Sequence, residues 1–321
     1  MRSKSTSGVA DNRPGKPARL RDFVEDADGW LYAVSAYDNA ERIGCILRYI
    51  PDPNGARVNL EGKRFRKIDF EEAYELVAIC KPHYTNLIHR IPPSDIVRVI
   101  KPEDEIHRIV SRDQRIRKLV DLFRLPTGSI GCTGSLLCGL EQPGSDIDLV
   151  VYGKAWFQAQ ALLRSSIEKG LIQDLPEEMW RTIYIKRKPE ISFSQFMTHE
   201  IRKWNRGEIE GTYFDLLYTC SYADLPAAST GKGRVTGKRR IEAKVTDASL
   251  SFDNPAVYEV EHDRITRVLS FTHTYSGQAI AGEVIEACGV CEEHGDESWL
   301  IVGTTREARG EYILSKTLLE S

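Results

Sequence analysis

IGCTGSLLCGLEQPGSDIDLVV, residues 130–151, is the stretch on which the reading of this chain turns. Ser129–Thr133 has the pattern of a short strand. Gly134-Ser135 opens a tight turn, and Leu136–Leu140 reads as a short helical segment. Gln142–Ser145 is a second turn, and Asp146–Tyr152 is a strand rich in β-branched residues. Side chains two apart on a strand share a face. Asp146 and Asp148 therefore present two carboxylates together, while Ile147 and Leu149 anchor the other face in a core. Gly134 has no Cβ to keep a phosphate away from the backbone. Ser135 offers a hydroxyl and an N–H at the start of a helical turn. Paired carboxylates suit two divalent ions roughly 3.5–4 Å apart, which neutralise a nucleoside triphosphate and align an in-line displacement.

Hydrophobic-Gly-Ser, a ten-residue gap, then Asp-hydrophobic-Asp-hydrophobic resembles the signature of the DNA polymerase beta-like nucleotidyltransferase superfamily. The whole chain is also similar to a group of uncharacterised archaeal predicted nucleotidyltransferases. The resemblance implies a mixed sheet with helices packed on it. It also implies transfer of a nucleoside monophosphate from an NTP to a hydroxyl. Asp146 and Asp148 would hold two Mg²⁺ ions, with Mn²⁺ as a substitute, and Gly134 and Ser135 would bind the triphosphate. The family supplies a third carboxylate from a later strand, as metal ligand or base. Asp215, a lone acid in the apolar run TYFDLLY (212–218), is the candidate, because a buried carboxylate needs a compensating charge. Pairing with a nearby Arg or Lys is its bland alternative. Glu190 and Asp174 are weaker rivals in polar, loop-like surroundings.

Outward from this segment, Pro102 to Phe123 reads as a helix. Pro102 and three acids sit in its first turn, and Ile106, Ile109, Ile116, Val120 and Phe123 face the core. Arg108, Arg112 and Arg115 are expected on one face, either as a polynucleotide contact or as a solvated stripe. Lys154–Lys169 reads as a helix with Phe157, Ala161 and Ile167 inward and Gly170 as its stop. Thr182–Lys186 reads as a strand followed by Lys186 and Arg187, candidates for holding the triphosphate or the acceptor backbone.

Residues 20–101 read as a small α+β module, with strands at 30–35, 43–50 and 96–100 and a helix at 70–79. Beyond a linker at 226–233 the pattern turns nearly all β. Five or six short strands suit a small barrel of the oligonucleotide-binding (OB) type. The expected organisation is an α+β chain with a basic arm (1–19), an N-terminal module (20–101), a nucleotidyltransferase domain (102–225) and a C-terminal OB-like barrel (226–321). Basic residues 232–244 and scattered aromatics in the last module fit single-stranded nucleic acid, although core aromatics are the plainer reading.

The 321 residues are 41% hydrophobic and 28% charged with a net charge of −3, so any nucleic-acid contact must be local rather than a generic polycation effect. No apolar run approaches a membrane span or a secretory signal. Seven scattered cysteines read as reduced, cytoplasmic usage. Cys288 and Cys291 lack the second pair that a structural zinc site wants, and no P-loop is present. The expected acceptor is RNA. Nucleotidylation of a protein or small molecule, and a nucleic-acid-binding or regulatory module with a relic site, are the alternatives.

Overall fold

The protein is described by a computed structural model over residues 16–225, 231–305 and 308–321. Most of the basic arm and of the linker lie outside the described residues. Three sheets follow one another along the chain.

The first contains β1 (Phe23–Asp26), β2 (Leu31–Val34), β3 (Ile43–Pro51), β4 (Arg57–Val58), β5 (Arg64–Lys67), β6 (His89–Ile91) and β7 (Ile96–Ile100), in the order β4-β5-β3-β2-β1-β7 with β6 beside β3. Helix α1 (Phe70–Cys80), capped by Asp69, covers one face through Ala73 and Val77. The other face, with Phe23, Leu31, Tyr49 and Phe65, packs on Leu137 and Leu140 of the Gly-Ser segment.

Helices α2 (Pro102–Arg112) and α3 (Gln114–Phe123) lead into β8 (Ile130–Cys132), α4 (Gly134–Cys138), β9 (Ile147–Tyr152), α5 (Lys154–Glu168), α6 (Glu177–Arg187), α7 (Phe193–Arg202), β10 (Arg206–Ile209) and β11 (Thr212–Thr219). The second sheet is mixed, in the order β10-β11-β9-β8. Strands β9 and β11 are parallel and the other neighbours antiparallel. Its apolar face (Ile147, Leu149, Phe214, Leu216) forms one core with α2, α3 and α5.

The third sheet holds β12 (Arg234–Asp247), β13 (Ala256–Glu261), β14 (Arg267–Ser270), β15 (Val284–His294), β16 (Glu297–Val302) and β17 (Tyr312–Ser315), followed by α8 (Lys316–Glu320). Pairings run β12-β13-β14-β16-β15 and return to β12, with β14 and β16 parallel and β17 outside the ring on β15. This gives the mixed α+β architecture expected from the pattern.

Four local expectations are corrected. Residues 182–186 are not a strand but the last turns of α6. Glu177 and Glu178 sit at the helix start and Lys186 and Arg187 at its end, as the dipole favours. Trp180, Ile183 and Tyr184, at helical spacing, pack on the core of the third sheet. The helix from Pro102 breaks at Asp113, which caps α3 by accepting from the Arg115 N–H. The break dissolves the basic stripe: Arg108 pairs with Glu105, Arg112 with Glu141 and Arg115 with Asp113. In α5 the buried positions are Trp156, Ala159 and Leu163, whereas Phe157 and Ala161 are exposed; Ile167 packs on the core as expected.

The fourth correction is Arg19, which belongs to no free arm. It is 2% exposed, its guanidinium lies between the rings of Tyr152 and Tyr222 (3.6 and 3.9 Å), and it pairs with Glu103 at 2.8 Å. Lys101 and Asp22 extend this cluster (2.8 Å) and fasten the N-terminal segment to the second sheet. A second fastening joins all three sheet units. Tyr37 Oη donates to Asp253 (2.6 Å), Cys220 Sγ donates to the same carboxylate (2.9 Å), and the Cys220 N–H donates to Tyr37 Oη.

Removing Arg19 leaves Glu103 buried without its cation. Arg19→Ala is expected to cost about 3–5 kcal/mol, measured as the change in urea unfolding free energy. A change below about 1 kcal/mol would show that the cluster does not hold the segment in place.

Candidate functional site

Strand β9 enters the central sheet immediately after Asp146. The parallel pairing of β9 with β11 sets Asp148 opposite Asp215 in register, and directly opposed residues project to one face. The same row continues to Arg206, opposite Asp215 on β10. Asp146 is exposed at the strand entrance, Asp148 is half-buried and Asp215 is buried. Burial pushes the Asp148 carboxyl up to about 6, and the like charges of Asp215 and Asp146 add to the shift. Arg21 and Lys186 oppose it. Asp215 accepts from Asn205 Nδ2 (3.2 Å), Arg206 Nε (3.3 Å) and Tyr213 Oη (3.2 Å).

The Gly-Ser turn is fixed against this row. The Thr133 N–H donates to the Asp148 carbonyl (3.0 Å), and the Thr133 hydroxyl donates to the Arg21 carbonyl (2.7 Å). Gly134 has φ +68°, and a Cβ there would lie 2.9 Å from Asp148 Oδ2. The turn thus runs its bare backbone along the carboxylate, as its glycine allows. Ser135 follows, half-exposed, at the start of α4. That helix is a single turn of five residues, so close approach rather than a helix dipole is what it offers an anion.

The two basic candidates on α6 part company. Lys186 is exposed and acts on the Asp148 carboxyl. Arg187 turns inward beside Glu200 (3.7 Å). Burial first, then Arg206, lowers it to about 10. Glu200 also pairs with Lys203 and Arg206, so Arg187 belongs to a buried charge network behind the row. Of the rivals to Asp215, Glu190 lies beside Tyr275 through its own N–H, and Asp174 accepts from the Leu175 N–H; neither is on the row.

Several residues at the site were not singled out from the sequence. Arg21, at φ +74°, donates through Nε to the Tyr218 carbonyl (3.3 Å). It lines a pocket with Asp215, Arg206, Lys203 and His273. Burial lowers the Arg21 guanidinium, and nearby Tyr37, Asp215 and Asp148 oppose that shift. His273, exposed at the rim, lines the pocket from the third unit. The pocket draws on all three sheet units. A legible signal existed only for Arg206. RGEIEGTYFD is a hairpin pattern with Glu210-Gly211 at the turn, both at positive φ, and its register forces Arg206 beside Asp215.

Among the described residues, no group of three or more acidic, cysteine or histidine side chains is already drawn together as a metal-ligand cluster. The donor set still fits a hard divalent ion. Asp148 and Asp215 share one face, Asp146 stands two residues upstream, and mutual repulsion raises the proton affinity of Asp148. Asp146, Asp148 and Asp215 are the residues that would hold such ions.

The fold and this row define a nucleotidyl-transfer domain. A family profile described as a nucleotidyltransferase domain matches residues 113–202. The chain belongs to the nucleotidyltransferases of the DNA polymerase beta-like superfamily. It is similar over nearly its whole length to an uncharacterised protein of Methanocaldococcus jannaschii. The two are 32% identical over 337 residues, covering 93% of this chain and 99% of that protein. No solved structure matches the chain.

A carboxyl whose folded pKa lies above its ordinary value of 3.8 favours the fold at low pH. That contribution is lost as pH rises through about 6. The metal-free protein is therefore expected to melt higher as Asp148→Asn than as wild type at pH 7.5, by roughly 2–4 °C. The two should converge below about pH 4. Magnesium should raise the melting midpoint of the wild type and leave the variant unmoved. A metal-free variant that melts lower at pH 7.5 contradicts the account.

Proposed function

We propose that this protein transfers a nucleoside monophosphate from an NTP to an acceptor hydroxyl with release of pyrophosphate, and that the acceptor is RNA. The in-register placement of Asp148 and Asp215, with Asp146 at the entrance of the same strand and Gly134 against Asp148, carries the reading.

In this reading Asp146, Asp148 and Asp215 bind two Mg²⁺ ions, for which Mn²⁺ can substitute. When bound, the ions neutralise the triphosphate and polarise the α-phosphate. Gly134 and Ser135 seat the phosphate tail by close backbone approach, and Lys186 adds a cation at the open edge, toward the acceptor. Arg187 serves indirectly, by holding the network behind Asp215. The acceptor oxygen attacks the α-phosphorus, its proton passes to Asp215, and the bond to the β-phosphate breaks with the electron pair leaving on pyrophosphate. Asn205, Arg206 and Tyr213 orient Asp215 for that proton.

The module boundaries 20–101, 102–225 and 226–321 remain our division of the chain. The last module is read as an OB-like barrel, because the pairings of β12 to β16 close into a ring containing one parallel pair. Its exposed basic strand is partly neutralised, Arg234 by Glu293 and Arg240 by Glu286. An RNA acceptor therefore needs cations elsewhere as well. All seven cysteines are free, in keeping with a reducing, cytoplasmic setting. Among the described residues no helix is long and apolar enough to cross a membrane.

Incubation with α-labelled NTPs, Mg²⁺ or Mn²⁺, total RNA and lysate tests the reading. Label is expected in the RNA fraction, and Asp146→Asn is expected to lower it at least 100-fold, about 3 kcal/mol, with the fold unchanged by circular dichroism. Label confined to protein or small molecules would reassign the acceptor. Activity surviving in Asp146→Asn would refute the mechanism.

A further inference from the structure

The face of the first sheet turned toward α4 is apolar at its centre and basic where it meets the carboxylates. Cross-strand pairs place Tyr49 opposite Lys67 and Phe65 opposite Arg57. Lys67 and Phe65, two apart on β5, share that side. Tyr49 and Phe65 pack on Leu137 and Leu140, which fixes Arg57 and Lys67 at the margin of the Gly-Ser turn. Two hydrogen bonds tie the loop before Asp146 to the same margin: Arg57 Nη1 donates to the Leu140 carbonyl (2.5 Å), and Gln142 Nε2 donates to the Ala56 carbonyl (3.2 Å).

Arg48 joins this margin through a break in the ladder. Leu31 pairs with Tyr49 but Tyr32 pairs with Leu47, so Arg48 is the extra residue of a β-bulge. The bulge locally breaks the side-chain alternation of β3, since Leu47 packs on the α1 side and Tyr49 on the α4 side. The Arg48 guanidinium lies over the exposed Phe70 ring at 4.9 Å. Lys67 has its ammonium pKa lowered by burial and then by Arg48, Arg57 and Lys186, with Asp146 opposing. Arg48, Arg57 and Lys186 thus lie close enough to act on Lys67, as does Asp146 with the opposite sign. Neighbouring Arg66 is neutralised by Asp52 and Glu72. Among the described residues, Arg48, Lys67 and Lys186 have no carboxylate partner.

We infer that Arg48, Arg57, Lys67 and Lys186 form a phosphate-binding wall for a polynucleotide acceptor, so that the first sheet is the acceptor platform of the transferase. The inference rests on reading the carboxylate row as the transfer site. Two metal ions and the Gly-Ser turn already serve the triphosphate, whereas cations spread over three strands and a helix match successive backbone phosphates. Arg57 also braces Leu140, so the separable contacts are Arg48 and Lys67.

The test uses the full chain and a fluorescent single-stranded RNA of about 12 nucleotides, with binding followed by anisotropy across a KCl series. Arg48→Ala/Lys67→Ala is expected to weaken RNA binding about tenfold. It should also flatten the slope of log K against log salt by about 1.4, from roughly 0.7 per lost phosphate contact. ATP affinity in Mg²⁺, measured by calorimetry, should stay within about twofold. Lys169→Ala, after the helix on the opposite face of the central sheet, should match the wild type. Unchanged RNA affinity and slope, no RNA binding by the wild type, an equal loss in Lys169→Ala, or a loss in ATP affinity instead would each overturn the inference. RNA binding lost with the wall but kept in Asp146→Asn supports the platform even where no label is transferred. The platform and the chemistry therefore fail separately.

Discussion

Two carboxylates opposed in register on parallel strands repel each other, and nearly everything around the central sheet answers that repulsion. Asp215 is held by Arg206, Asn205 and Tyr213, while Asp148 has the exposed Asp146 beside it and Arg21 across from it. The row is costly in an isolated apo fold and becomes favourable once positive charge enters. That cost, at the edge of a well-packed core and under a glycine backbone with no Cβ, is one that the proposed cationic ligand would relieve.

The three sheet units are coupled through this row. The N-terminal segment delivers Arg21 to one side, pinned by the Arg19 cluster, and the third unit delivers His273 to the same pocket. Helices α6 and α7 belong by sequence to the central unit yet pack on the third sheet. Any shift between the central and third units must therefore disturb the network of Glu200, Lys203 and Arg206 that stands behind Asp215. Tyr37, Cys220 and Asp253, one from each unit, tie the arrangement together at a single carboxylate. The geometry of the row is thus set by contacts between units as much as by the motif itself.

The motif was legible because it is local. Gly134-Ser135 and Asp146-Ile-Asp148 declare a turn and a strand face within 15 residues, and Asp215 stood out as one acid in an apolar strand. Strand alternation then determined which side chains meet. What was not legible depended on distance in sequence. Arg21 lies about 190 residues from Asp215, and its role follows from a positive-φ turn that only the docked sheets stabilise. Thr182–Lys186 has the composition of a strand, with β-branched residues dominating it. Packing of Trp180 and Tyr184 at helical spacing overrode that propensity. The bulge at Arg48, which puts Leu47 and Tyr49 on opposite faces, leaves little trace in composition.

The central claim is that Asp146, Asp148 and Asp215 together receive metal ions with a nucleotide. Anomalous diffraction from crystals grown with Mn²⁺ and a non-hydrolysable NTP tests it most directly. Manganese peaks bounded by all three carboxylates, with the phosphates against Gly134 and Ser135, are the expected result. Manganese elsewhere, or at Asp146 alone with Asp215 still engaged only by Arg206, Asn205 and Tyr213, would contradict it.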